Sequence, residues 1–479
     1  MSDLNVMWFR RDLRLSDHPA LAAAAADGAS VVGLFVLDPA LLDSSMRTAR
    51  LLASLRALAA DLDGALVIRY GDPVEVVAEV ATATGAASVH ISSDITAGAR
   101  RRDQAVADRL AKLGIPLVAT GSPYAVTPGR ITKGDGTAFR VYTPFYKAWL
   151  AHGWPAPAQV PRTISWVRLE GDGEQSAAVT SEIDRRTAAV AVGPASFGEM
   201  EAGEAAALAR WQEFRSERLR DYRTDRDFPA KPGVSRLSAA LRFGEVHPRT
   251  LLADLDDSPG AVAYRRELAF RDFYADVQFH NPQAGSVSLD RRFDLHMRFD
   301  SGPGADDMFA AWCQGRTGYP FVDAGMRQLL AEGWMHNRVR MVVASFLVKD
   351  LHLPWWRGAR WFFDRLIDGD PASNSQGWQW AAGCGTDAAP YFRVFNPVLQ
   401  GKKFDPDGDY IRRYVPELRD VPTPEVHEPW LAPILAPDYP GPIVDHFSER
   451  DEALARYAEM KEAASASGWH ASDVGIQSP

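Results

Sequence analysis

A parallel α/β domain followed by an all-helical domain is the fold class that this chain of 479 residues predicts. Three observations carry the expectation. Over the first 130 or so residues, short apolar runs alternate with alanine-rich helical patterns; between about 154 and 203 the pattern breaks into prolines, glycines and small residues; from Ala205 onward apolar residues recur at helical spacing. The division predicted is an α/β domain over 1–130, a linker over 131–204 and a helical domain over 205–479.

The apolar runs lie at residues 6–9, 31–37, 66–70 and 89–91, and the helical pattern between the second and third covers 47–62. Strands that read as nearly unbroken apolar runs belong to parallel sheets covered on both faces, so a Rossmann-like, five-stranded parallel sheet is expected. Pro155, Pro157, Pro161, Gly171 and Gly173 mark the linker. Beyond it, helices are punctuated at 229–233, 302–304 and 383–385, and the proline-rich tail after Pro416 holds one helix near 449–463. There is no internal repeat.

Composition narrows the function classes. Two cysteines, Cys313 and Cys384, exclude a disulfide framework, a thiolate iron-sulfur cluster and an all-cysteine zinc site, and no metal is expected. Arg10, Arg11, Asp12 and Arg14 stand where a signal peptide needs its apolar run, so the chain reads as cytoplasmic. A net charge of -9 argues against indiscriminate nucleic-acid binding, but residues 316–365 hold eight Arg or Lys against four Asp or Glu, so a basic face on an acidic body is retained.

Seven of the fourteen tryptophans fall within residues 312–380, interleaved with Arg338, Arg340, Arg357, Arg360 and Arg365. A tryptophan-rich core accounts for most single indoles. It accounts less well for the guanidinium groups, each of which needs a partner when desolvated. Asn337 and Met341, and likewise Asn374 and Trp378, are four apart and share helix faces; Glu267, Phe270 and Arg271 form a third cluster. Asp368 and Asp370 precede the Asn374 helix, and spacing leaves helix capping open beside pairing with Arg340 or accepting from a flavin imide. Ser235 to Ser238 opens a helix, where free N–H groups can hold a pyrophosphate, although serine is also a common cap. Other motifs fail. Gly383, Gly385 and Ala388 match G-x-G-x-x-A but follow no strand, and Asp405, Asp407 and Asp409 lack the glycine and glutamate of a calcium loop and read as a solvated turn.

Four strings, RRDLRLSDHPAL from Arg10, SRLSAALRFGE from Ser235, GRTGYPFVDAGMRQLLAEGWMHNRVRM from Gly315 and DGDPASNSQGWQWAAGCGTDAAPYFRVFNP from Asp368, resemble the photolyase/cryptochrome family, most nearly its class I cyclobutane pyrimidine dimer photolyases. The resemblance runs from Val6 to about Leu418. It implies an α/β antenna domain, an all-α C-terminal domain holding FAD, and light-driven repair of flipped-out pyrimidine dimers in UV-damaged DNA by a monomer. Carried over by position, Tyr222, Ser235, Leu237 and Ser238 would hold the FAD phosphates and ribityl chain, with Arg271, Trp334, Arg340, Asp368 and Asp370 at its polar edges and Asn374 at N5. Glu267, Asn337, Arg338 and Met341 would face the lesion, with Trp380 and Phe270 stacking on it. Arg226, Arg338 and Arg393 would contact phosphates, and Trp378 and Trp355 would pass electrons.

The departures from the family pattern carry their own expectations. Phe270 stands where many cyclobutane photolyases place a second tryptophan, and Val234 replaces a hydroxyl residue at the phosphate loop. Phe299 replaces the terminal surface tryptophan of the photoreduction chain. Thr96 stands where some antenna-binding relatives carry glutamate, and the DITAGARRRD loop favours a deazaflavin over a folate as second chromophore. The other function class is a blue-light photoreceptor that keeps FAD and has lost repair; the repair-type residues at 267, 337, 341, 374 and 380 favour the enzyme.

Overall fold

The computed structural model describes residues 3–42, 45–169, 176–181, 185, 201–386 and 392–467. Parts of the linker stretch, the chain end after 467 and Ala388 lie outside the described residues. Five parallel strands form the sheet: β1 (Leu4–Phe9), β2 (Ser30–Leu37), β3 (Leu66–Tyr70), β4 (Ser88–Ile91) and β5 (Leu117–Ala119), in the order β3-β2-β1-β4-β5. Val6 of β1 pairs with Val32 on one side and Val89 on the other, so the strand order reverses beside β1. A two-residue strand from the linker stretch, β6 (Ser165–Trp166), adds in parallel to β2. The fifth strand has no long apolar run because it is three residues long and only half-buried.

The described residues fall into two compact units. The first comprises 1–138, 145–220 and 235–279; the second comprises 139–144, 221–234 and 280–479. These units cut across the three segments read from the sequence pattern.

In the first unit, alternate side chains of the strands feed two cores. Val6, Trp8, Val32 and Leu34 enter one, and Met7, Phe9, Val31 and Phe35 the other, as a period of two demands. Phe243, at the end of the Ser238–Phe243 helix, joins the second core. Gly244 ends that helix at φ 70°, and a Cβ there would lie 2.0 Å from Arg11 O, so only glycine fits the turn. Buried Glu245 accepts from Arg50 Nη2 at 2.5 Å, Ser54 Oγ at 2.6 Å and Gly203 N at 2.9 Å.

On the Pro259–His280 helix, Asp272 accepts from Val126 N at 2.9 Å and Trp149 Nε1 at 3.0 Å. Complete burial outweighs these bonds and pushes its carboxyl up from 3.8 to about 6. A raised acid pKa means that the folded state holds the proton between pH 3.8 and 6 while the unfolded state has released it, so stability falls as pH rises through that window. Urea unfolding of the parent and of Asp272→Asn should show the parent losing about 2 kcal/mol relative to the variant between pH 4 and 6.5, with parallel curves above. A difference independent of pH would remove Asp272 from that role.

The second unit is helical around one large core that includes Trp312, Phe346, Trp355, Phe362 and Trp378. Its last described helix, His446–Ala466, is tied down by His446 Nδ1 against Asp350 Oδ1 at 2.5 Å and by His352 Nε2 against Glu449 Oε2 at 2.8 Å. The expectation of a solvated turn at 405–409 fails at its first residue. Asp405 is 2% exposed and accepts from Tyr410 N at 2.9 Å and Ile411 N at 3.0 Å, capping the Asp409–Tyr414 helix; Pro406, Asp407 and Asp409 face water. Among the described residues, no helix is long and apolar enough to cross a membrane.

Candidate functional site

Asp370 opens the Pro371–Ala382 helix: its carboxylate accepts from Ser373 N at 2.9 Å, proline occupies the first turn, and Gly383 closes the far end at φ 92°. The helix carries Asn374 and Trp378 toward the Trp355–Arg365 helix. Asn374 Nδ2 donates to Ala359 O at 2.9 Å, which fixes the amide plane. One residue earlier, Gly358 receives the Trp378 ring, and a Cβ there would lie 2.1 Å from Trp378 Cη2. Trp378 is 3% exposed and meets the Trp312 and Phe362 rings edge-on, with centroids 6.0 and 5.0 Å apart. Trp380, half-buried, lies 6.4 Å from the Phe395 ring.

The two aspartates left open by spacing divide their roles. Asp370 caps, and Asp368 accepts from Arg340 Nη2 at 2.8 Å, while Arg340 Nε donates to Met335 O at 2.7 Å. Arg340 lies on the Asn337–Lys349 helix, whose cap is His336: Nδ1 accepts from Arg338 N at 3.2 Å. Burial pushes His336 down to about 4, so it is neutral at physiological pH and retains the lone pair that the cap needs. Trp334 stands edge-on to that ring at 6.3 Å. Histidine is a rare N-cap, and the sequence gives little signal for this one.

Asn337 is exposed at the start of the same helix, and Met341 is half-buried one turn on. Arg338 joins them: Nη2 donates to Asp227 at 2.7 Å, Nη1 lies 3.9 Å from Met341 Sδ, and its guanidinium covers Phe404 at 4.3 Å. Arg226 packs over Tyr222 at 5.8 Å. Arg393 offers its carbonyl to Lys349 Nζ at 2.5 Å; that lysine is buried, and burial pushes it down to about 7. Trp355 is 1% exposed, and Phe299 is half-buried against the same core.

The remaining residues singled out from the sequence, Ser235, Leu237, Ser238, Glu267, Phe270 and Arg271, belong to the first unit. Ser235 Oγ lies 3.0 Å from Tyr264 OH and accepts from Leu237 N at 3.4 Å, with Arg236 between them at φ 53°. Left-handed backbone at a non-glycine residue stores strain of the kind found where main-chain groups are turned toward a ligand. Glu267, Phe270 and Arg271 do share the Pro259–His280 helix, as their spacing predicts. Arg271 is committed to protein carbonyls: Pro123 O at 2.7 Å and Leu241 O at 3.1 Å, with its guanidinium 4.5 Å over Tyr124. Arg10, just past β1, and Arg102, on the Ala97–Ala111 helix, cover the Trp8 ring at 4.9 and 5.3 Å.

Comparison with known proteins places these residues in context. Residues 5–162 match the family described as DNA photolyase, and residues 264–459 match the FAD binding domain of DNA photolyase. The deoxyribodipyrimidine photo-lyase of Escherichia coli is 40% identical, with 95% of this chain and 98% of that protein aligned. The Streptomyces griseus protein of the same description is 41% identical over 95% of this chain and 98% of its own length. Among solved structures, a class III photolyase from Agrobacterium tumefaciens superposes with a TM-score of 0.83 at 35% identity, covering 96% of this chain and 98% of that one. An archaeal photolyase from Sulfolobus tokodaii, solved with two FAD molecules, gives 0.81 at 28% identity, covering 95% and 99%.

Proposed function

Since the chain belongs to the DNA photolyase family and is a deoxyribodipyrimidine photo-lyase by its full-length relatives, we propose that it reverses cyclobutane pyrimidine dimers in DNA by light-driven electron transfer, with FAD held by the helices around Asn374. The observation that carries this reading is the packed pair of helices, Trp355–Arg365 and Pro371–Ala382, which fixes Asn374 and Trp378 on adjoining turns inside the matched FAD-binding region. The donor set suits a flavin: a guanidinium-carboxylate pair at Arg340 and Asp368 for polar ring edges, and an amide at Asn374. When bound and fully reduced, FAD supplies the electron that opens the cyclobutane ring on illumination and recovers it afterwards.

The protein's own residues supply the rest. Asn374, which would lie at the flavin N5, is a neutral amide that can hydrogen-bond there but donates a proton far less readily than an acid would. Glu267 hydrogen-bonds the flipped-out base and stabilises charge that develops only after electron transfer. Asn337, Met341 and Trp380 in the second unit are assigned contacts with the lesion, and so is Phe270 in the first, a phenylalanine stacking with less area than an indole. Arg226, Arg338 and Arg393 bind phosphates, so affinity weakens with salt. A deazaflavin antenna is part of this reading, supported by the DITAGARRRD loop and by the cluster of Arg10 and Arg102 over Trp8.

Glu267→Ala tests the assignment. Repair per bound lesion should fall by roughly a hundredfold, the scale of losing one stabilising group in a charge-developing step, while dark affinity for dimer-containing DNA changes little. Lost dark binding with repair yield per bound lesion intact would contradict that role.

A further inference from the structure

Three indole N–H groups in the second unit meet different neighbours. Trp312 donates to a peptide carbonyl, Val343 O, at 3.1 Å. Trp361 Nε1 is buried without a hydrogen-bond partner among the described residues, and the Arg365 guanidinium lies over its ring, 2.9 Å from the centroid. Trp355 donates into a chain that ends on a carboxylate: Nε1 to Ser288 Oγ at 2.9 Å, then the Ser288 hydroxyl to Asp294 Oδ1 at 2.6 Å. Trp355 and Ser288 are 1% and 2% exposed, whereas the Asp294 side chain is 24% exposed and reaches water. The two carboxylate oxygens also differ. Oδ2 accepts from Ser288 N at 3.0 Å and Arg291 Nη1 at 2.7 Å, while Oδ1 faces the hydroxyl.

An oxidised indole is a radical cation, and its N–H is about as acidic as a carboxylic acid. A peptide carbonyl is too weak a base to take that proton, and a guanidinium over the ring opposes positive charge there. A hydroxyl backed by a carboxylate takes it readily. We propose that Trp355 is where the oxidising equivalent comes to rest during flavin photoreduction, and that Ser288 and Asp294 are the proton exit that holds it there. The proposal rests on the flavin of the function proposed above and on the electron-transfer roles that the family resemblance implies for Trp378 and Trp355.

The step balances. The oxidant is a light-excited, oxidised isoalloxazine; it gains one electron through Trp378, and Trp355 loses one. The Trp355 Nε1–H bond then breaks, its proton passing to Ser288 Oγ as the serine's own proton passes to Asp294 Oδ1. The products are a neutral indolyl radical, an unchanged serine and a neutral aspartic acid. With Phe299 at the position of the terminal ring, and phenylalanine much harder to oxidise than tryptophan, this exit replaces an aromatic surface terminus. Return of the electron then requires return of the proton, which prolongs the radical.

Laser-flash spectroscopy of the FAD-loaded, oxidised protein tests the exit. The expected result is a long-lived neutral indolyl radical that is absent in Trp355→Phe and forms more slowly in D2O. Ser288→Ala and Asp294→Asn should leave the radical cation and shorten its life by roughly tenfold or more, and Ser288→Thr, which keeps the hydroxyl, should restore the parental behaviour. A neutral radical of parental lifetime in both Ser288→Ala and Asp294→Asn, or one that survives Trp355→Phe, would overturn the proposal. Absence of any indole radical in the parent would overturn the electron-transfer roles and the proposal together. Chemically reduced Ser288→Ala should repair dimers at the parental level, so a failure of repair in the parent is separable from a failure of the proton exit.

Discussion

Replacing Gly358 by valine is expected to cost about 3 kcal/mol of stability and to disable flavin photoreduction, because the position has no room for a side chain and the obstacle is Trp378, the ring proposed to carry the electron. A Cβ at 358 would lie 2.1 Å from Trp378 Cη2, 2.5 Å from Trp378 Cζ3 and 2.5 Å from Leu347 Cδ2, all within a buried core. Alanine in place of a helical glycine normally gains about 1 kcal/mol of helix propensity, so Gly358→Ala is partly offset, whereas valine adds branched volume and loses that gain. Close-packed interiors relax little, so Trp378 has to leave its contacts with Trp312 and Phe362. Urea unfolding at constant m-value measures the first effect, and photoreduction of oxidised FAD the second. Parental stability in Gly358→Val would show that the two helices separate at no cost.

The second large effect is expected at Arg340. The Asp368 side chain is 3% exposed and that of Arg340 is 25% exposed, so the two partners of the 2.8 Å pair are unequal. Arg340→Ala leaves a buried carboxylate without this guanidinium and should cost about 3 kcal/mol, as breaking one side of a buried pair does. Asp368→Asn strands a cation that water can reach, and should cost less. Arg340→Lys keeps the charge but not the planar fork that reaches both Asp368 and Met335 O, and should fall between. If FAD lies against this pair, its retention should follow the same order. Urea denaturation of the three variants checks the ranking, and an Arg340→Ala within about 1 kcal/mol of the parent would mean that the pair behaves as a surface ion pair.

How much was legible in the chain depended on whether the signal was local. The first four strands read clearly because parallel strands covered on both faces leave apolar runs, whereas β5 and β6 are too short and too exposed to leave one. Helical spacing placed Asn374 with Trp378, and Glu267 with Phe270 and Arg271, on shared helices. Spacing could not divide Asp368 from Asp370, since a cap and an ion pair both suit an aspartate before a helix; the position of Arg340, 28 residues upstream of Asp368, decides it. The burial of Asp405 was hidden by its acidic neighbours, although flanking Phe404, Tyr410 and Ile411 are a weak sign of an inward-facing cap. The crossing at Gly358 and the link from Trp355 to Ser288, 67 residues away, are tertiary and leave no local pattern.

Light-dependent reversal of thymine dimers by the purified, FAD-loaded and chemically reduced protein is the measurement closest to the central claim. An oligonucleotide carrying one cyclobutane dimer, incubated anaerobically with the protein, should return to intact thymines under blue or near-ultraviolet light and remain unchanged in the dark, while (6-4) products persist under both conditions. Dimers that stay intact in the light, in protein that retains reduced FAD and binds the lesion, would contradict the repair function and favour a photoreceptor built on the same fold.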